Sequence, residues 1–205
     1  MIKNIIFDLG NVVLKLKWEN VLNKFSNNPN DIKLLHKVIF DSEEWKELDN
    51  GTIEKQDAIN IMISQLPQEL HQTCKNIMNN WREGLVINNE IINFISSIKS
   101  QGYKTYILSN APHEIPEYLT NKDLNKYFDG QIISAQEKVS KPEEKIYKIL
   151  LNRFSLVPEE SLFLDDKIEN IEAAKKCNIN GYVFDYNNFE VFLEDIKKQY
   201  QITIK

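Results

Sequence analysis

Six side chains in this 205-residue sequence are of kinds that handle phosphate and divalent cations: Asp8, Ser109, Asn110, Lys141, Asp165 and Asp166. Three carboxylates gathered in one place repel strongly unless protons or a cation neutralise them. Magnesium is the economical answer, because its octahedral, oxygen-only preference suits one or two carboxylates, a backbone carbonyl, waters and a phosphate oxygen. Asn170 lies four residues beyond Asp166, one turn along a following helix, where it would hold a bound water or steady a ligand from behind. The hydroxyl and amide of Ser109-Asn110 and the ammonium of Lys141 would grip an anion. Together these groups describe phosphoryl transfer to an aspartate: Asp8 attacks phosphorus, and water later hydrolyses the aspartyl-phosphate.

Each residue also has a plainer reading. Asp165-Asp166 would serve as helix caps, Asp8 as a turn residue before Gly10-Asn11, Ser109-Asn110 as a capping pair, and Lys141 as a solvated lysine. Lys141 fits its plain reading poorly, since it precedes Pro142 and a helical pattern opening on Glu143 and Glu144, the end that favours anions. It is the joint occurrence that favours phosphoryl transfer.

The elements that must bring these residues together are legible as a change of rhythm. Apolar runs KNIIF, YKTYILS (103–109), GQIISA (130–135), SLFLD (161–165) and GYVFD (181–185) alternate with helical patterns such as EEKIYKILLNRF and ENIEAAKK. Short, nearly continuous apolar strands alternating with helices predict an α/β fold with a Rossmann-like parallel sheet covered on both faces. Ligands of such sheets bind beyond the carboxyl ends of the strands, where Asp8, Ser109-Asn110 and Asp165-Asp166 fall. Between the first and second strands the period is helical: Trp18, Val21, Leu22 and Phe25, then Leu70, Cys74, Ile77, Met78 and Trp81, each mark one apolar face. Thr52 is expected to cap a helix, and Pro67 suits a first helical turn. Residues 14–86 therefore read as an all-helical lobe inserted after the first strand, with 1–13 and 87–205 forming the α/β core.

Bulk properties narrow the classes. The 25 basic and 30 acidic side chains leave a formal charge of −5, which argues against a nucleic acid partner. Cys74 and Cys177 lack CxxC or Cys/His ligand spacing and read as buried apolar residues in a reducing compartment. No apolar run reaches the roughly eighteen residues of a membrane span, and the start lacks a signal-peptide pattern. A cytoplasmic protein with no membrane or nucleic acid partner is expected, as monomer or homodimer.

FDLGNV at 7–12, LSN at 108–110, SKP at 140–142 and FLDDKIEN at 163–170 resemble, in order, the four motifs of the haloacid dehalogenase superfamily. The likeness covers the whole chain and is nearest to C1-capped phosphatases with DLGNV in the first motif. It implies that Asp8 is nucleophile and metal ligand, that the carbonyl of Gly10 is a second ligand, and that Asp166 binds magnesium directly, with Asp165 acting directly or through water. Ser109 and Asn110 would bind the phosphoryl group and Lys141 would pair with it. The substrate class implied is a small phosphorylated metabolite, a sugar phosphate among them.

One departure stands out. Most phosphatases of this superfamily carry a second aspartate two residues after the nucleophile, as acid for the leaving oxygen and base for water; here the position is Gly10. General acid/base help of roughly 10²–10⁴-fold is missing from that position. Either leaving groups need little protonation, or another acid serves (His113, Glu44, Glu47 or Asp49), or turnover is slow. Two other readings stay open: a phosphometabolite-binding module with little or no turnover, and a metal-independent dehalogenase, against which the Asp165-Asp166 pair counts.

Overall fold

Asn4–Phe7 (β1) is buried along its whole length because it is the middle strand of a five-stranded sheet. The computed structural model describes residues 1–204. After β1 come a short strand Leu14–Leu16 (β2) and helices Trp18–Phe25 (α1), Pro29–Ile39 (α2), Glu43–Asn50 (α3), Lys55–Ser64 (α4) and His71–Asn80 (α5). Strand Leu85–Ile87 (β3) and helix Asn89–Ser100 (α6) lead to Lys104–Ser109 (β4), Ile115–Asn121 (α7), Gly130–Ile133 (β5), Ser134–Glu137 (α8) and Glu144–Phe154 (α9). Ser161–Asp165 (β6), Ile168–Lys176 (α10), Asn180–Val183 (β7) and Phe189–Tyr200 (α11) complete the chain.

The sheet order is β5-β4-β1-β6-β7, with every pairing parallel. Side chains alternate across it as the pleat requires. Ile5, Phe7, Leu162 and Leu164 join one apolar cluster with α6 and α11, while Ile6, Phe163 and Leu108 join a second with α9 and α10. Each fully buried Ile or Phe contributes about 1.5–3 kcal/mol, so a continuous apolar strand is what two-faced burial selects. Among the described residues no helix is long and apolar enough to cross a membrane.

Several local expectations need correction. Leu14–Leu16 and Leu85–Ile87 are antiparallel partners rather than helix, pairing Leu14 with Ile87 and Leu16 with Leu85. Three residues are too few to display a period, and each finds its partner across the whole helical segment. Thr52 does not cap a helix: Glu54 occupies that position for α4, while the Thr52 hydroxyl donates to the Glu47 carbonyl and closes α3. Ser109-Asn110 is not a helix-capping pair, since α7 begins at Ile115 with Glu114 as its N-cap. Ser134 and Ala135 open α8 instead of extending β5. Trp45 and Trp81, by contrast, are buried and pack edge to face at 5.2 Å, in keeping with the apolar face on which the helical period sets Trp81.

Candidate active site

β1, β4 and β6 are neighbours, and Phe7 is in register with Ile107 and Leu164. Asp8, Ser109 and Asp165 therefore emerge side by side at one sheet edge. Lys141 arrives from the loop before α9, held there by Asn110: its amide oxygen accepts from Lys141 N at 2.8 Å and its amide nitrogen donates to Lys141 O at 2.9 Å. The Lys141 side chain is only 1% exposed, which rules out the solvated reading. Its Nζ lies 2.9 Å from Asp8 Oδ1 and 2.6 Å from Asp165 Oδ2, above the Phe163 ring.

Asp165 is saturated. Its Oδ2 takes Lys141 Nζ, its Oδ1 takes the Lys167 backbone N–H at 2.8 Å, and Asn170 Nδ2 reaches both oxygens at 2.9 and 3.0 Å. Neither Asp165 nor Asp166 caps α10, whose N-cap is Lys167. Asn170 thus steadies Asp165, and through it Lys141. Asp166 is part-exposed and accepts from Asn11 Nδ2 at 2.9 Å. The sequence reading had no role for Asn11. Its left-handed backbone (φ 53°), which asparagine tolerates better than most residues, is a signal that exists only in the folded chain.

One oxygen each from Asp8, Asp165 and Asp166 lie within 4.8 Å of one another. With all three ionised and one lysine among them, the cluster carries an excess of two negative charges. Burial is the chief reason that Asp8 is pushed up to about 6; Lys141 and a Ser109 hydrogen bond oppose the shift and Asp165 adds to it. For Lys141, burial alone would depress the pKa, but the two carboxylates outweigh it and hold it above the usual lysine value. An acidic oxygen cluster with this surplus fits a hard dication, with Asp8 and Asp166 keeping lone pairs free of donors that saturate Asp165.

The site opens on a cavity of about 620 Å³ lined by Asp8, Gly10, Asn11, Asp49, Asn110, Lys141, Asp166 and Asn170. A smaller, apolar cavity of about 130 Å³ adjoins it, lined by Leu14, Trp45, Trp81, Ile115 and Ser109 among others. Of the four groups considered for proton transfer, only Asp49 lines both spaces; His113 and Glu47 are exposed elsewhere.

The model of haloacid dehalogenase-like hydrolases matches residues 2–178. The chain belongs to this family. The hydrolase is 30% identical over 186 residues to the sesquiterpene phosphatase astK of Aspergillus oryzae, covering 87% of this chain and 88% of that protein. It is 26% identical over 198 residues to a D-ribitol-5-phosphate phosphatase of Bacteroides thetaiotaomicron, covering 89% and 91%. A solved HAD-family enzyme from the same bacterium, in complex with magnesium and inorganic phosphate, shares the fold at a TM-score of 0.67 and 22% identity, covering 89% of this chain and 93% of that one.

Proposed function

We propose that this hydrolase is a magnesium-dependent phosphatase that cleaves a small phosphorylated metabolite through an aspartyl-phosphate on Asp8. The observation that carries the reading is Lys141 Nζ held between Asp8 and Asp165, with Asp166 in ligand reach. Phosphatase relatives acting on different phosphorylated small molecules support it.

Asp8 would attack phosphorus while Lys141, fixed by Asn110 and Asp165, neutralises charge growing on the equatorial oxygens. Ser109 would donate to the same group. Asp8, Asp166 and the Gly10 carbonyl would hold magnesium, with Asp165 and Asn170 behind them. Bound there, the ion supplies Lewis-acid stabilisation of the phosphoryl oxygens. We place residues 14–86 as the cap that closes over the substrate and excludes water. The cytoplasm is the proposed setting, consistent with two free, buried cysteines.

The test is hydrolysis of p-nitrophenyl phosphate with magnesium and with EDTA, for wild type and Asp8→Asn. Activity should need the metal and vanish in the variant. Equal rates for variant and wild type would remove Asp8 as nucleophile. A panel spanning sugar phosphates and short apolar phosphomonoesters would then rank substrates, the polar and apolar cavities offering room for either kind of leaving group.

A further inference from the structure

From the architecture around Asp49 we infer that this helical-segment carboxyl takes over the proton-handling post left empty by Gly10. The inference rests on the phosphatase reading and deepens it by naming a further catalytic residue.

Three observations converge on the position. The first is location: Asp49 and Gly10 line the same two spaces, the polar one holding Asp8 and Lys141 and the apolar one beside Ser109. The second is attachment. The last turn of α3 is stitched to the α/β layer on both sides of the site. The buried Ser134 hydroxyl accepts from Ala111 N at 2.9 Å and donates to the Asp49 carbonyl, and the Ser140 hydroxyl donates to Asn50 Oδ1. Gly51 then lies so close to α8 that a Cβ there would stand 2.2 Å from the Ala135 carbonyl oxygen. Helix α3 is thus anchored one residue beyond the phosphate-binding pair and one residue before Lys141, and Asp49 cannot drift far from either. The third is availability. Among the described residues no group hydrogen-bonds the Asp49 carboxyl, so it is not spent on structure as Asp165 is.

Its surroundings favour the acid form. Partial burial between the cavities is the main cause that pushes Asp49 up to about 8; Lys167 opposes this, while Asp8 and Glu114 reinforce it. Glu114 is itself engaged by Lys55 at 2.8 Å.

The proton balance closes over two steps. As Asp8 forms its bond to phosphorus and the bond to the leaving oxygen breaks, that oxygen takes the Asp49 proton and departs as the alcohol. Asp49, now a carboxylate, accepts a proton from the water whose oxygen attacks phosphorus. Inorganic phosphate leaves, Asp8 is regenerated as carboxylate, and Asp49 is again protonated.

The experiment compares kcat/KM for phenyl phosphate, whose phenoxide is a basic leaving group, with p-nitrophenyl phosphate, whose nitrophenoxide needs little protonation. Magnesium-loaded wild type, Asp49→Asn, Gly10→Asp and the double variant are used. Asp49→Asn should lose roughly 10²–10⁴-fold on phenyl phosphate and less than about 10-fold on p-nitrophenyl phosphate. Gly10→Asp should restore phenyl phosphate cleavage in the Asp49→Asn background. Position 10 has room for the change, since a Cβ there would meet only Asp8 Oδ2, at 3.9 Å, and its φ is not positive. Equal losses on both substrates, or no loss, overturn the Asp49 assignment while leaving the phosphatase reading in place; a wild type inactive on both overturns the two together. Asp49→Ala, which leaves no orphaned partner, serves as a second variant, and thermal unfolding of each protein separates misfolding from chemistry.

Discussion

Replacing Lys141 with methionine tests the electrostatic core of the site, because it removes the one ammonium between two buried carboxylates while keeping most of the side-chain volume. The side chains of Lys141, Asp8 and Asp165 are 1%, 10% and 0% exposed, so water reaches Asp8 only from the cavity side and replaces little of the lost charge. Removing one partner of a buried pair costs about 3–5 kcal/mol when the other stays charged. The variant limits that cost by protonating Asp8, at about 1.4 kcal/mol per pH unit. The sign follows from linkage. Asp8 ionises at about 6 in the folded wild type and 3.8 in the reference state, so its contribution to stability falls as pH rises between those values and is flat above. Without Lys141 the folded value climbs further, and the decline continues past 6. Urea unfolding in EDTA should show a deficit of about 3–5 kcal/mol near pH 8 that shrinks toward pH 5. Magnesium should recover part of it, by about 2.7 kcal/mol at one hundred times Kd. A deficit under about 0.5 kcal/mol near pH 8, or one independent of pH, would refute the reasoning, since either means the carboxylates are not a charged pair sharing this lysine.

Two further outcomes follow from neighbouring contacts. Ser134→Ala removes a fully buried hydroxyl that bridges Ala111 N and the Asp49 carbonyl, and should cost about 1–3 kcal/mol in chemical denaturation. If α3 positions Asp49, this variant also slows phenyl phosphate more than p-nitrophenyl phosphate; an equal effect would deny the link. Asn11→Gly and Asn11→Ala both delete the bond to Asp166 and should weaken magnesium binding by about 10–100-fold in calorimetric titration. Only the alanine variant should lose about 1–2 kcal/mol of stability, because alanine resists the left-handed backbone at this position.

Sequence by itself determined the parallel sheet, because two-faced burial leaves an unbroken apolar signature on strands such as NIIF and SLFLD. It also determined which residues cluster: Asp8, Ser109 and Asp165 end strands whose register brings them together, and residue order along a parallel strand is enough to place them at its carboxyl end. The helical character of α1 and α5 was written in their apolar spacing.

Tertiary structure alone decided the surroundings of each member of that cluster. Asp165 and Asp166 are adjacent in sequence, yet one is sealed by Lys141, Asn170 and Lys167 while the other faces the cavity beside Asn11. It likewise set Asp49, and not Glu44, Glu47 or His113, in the lining of both cavities, since which face of α3 meets the sheet depends on Ser134 and Ser140, 85 and 90 residues away. Period and propensity are short-range properties of the chain, whereas burial, charge pairing and proton affinity are set by neighbours that only the folded packing supplies.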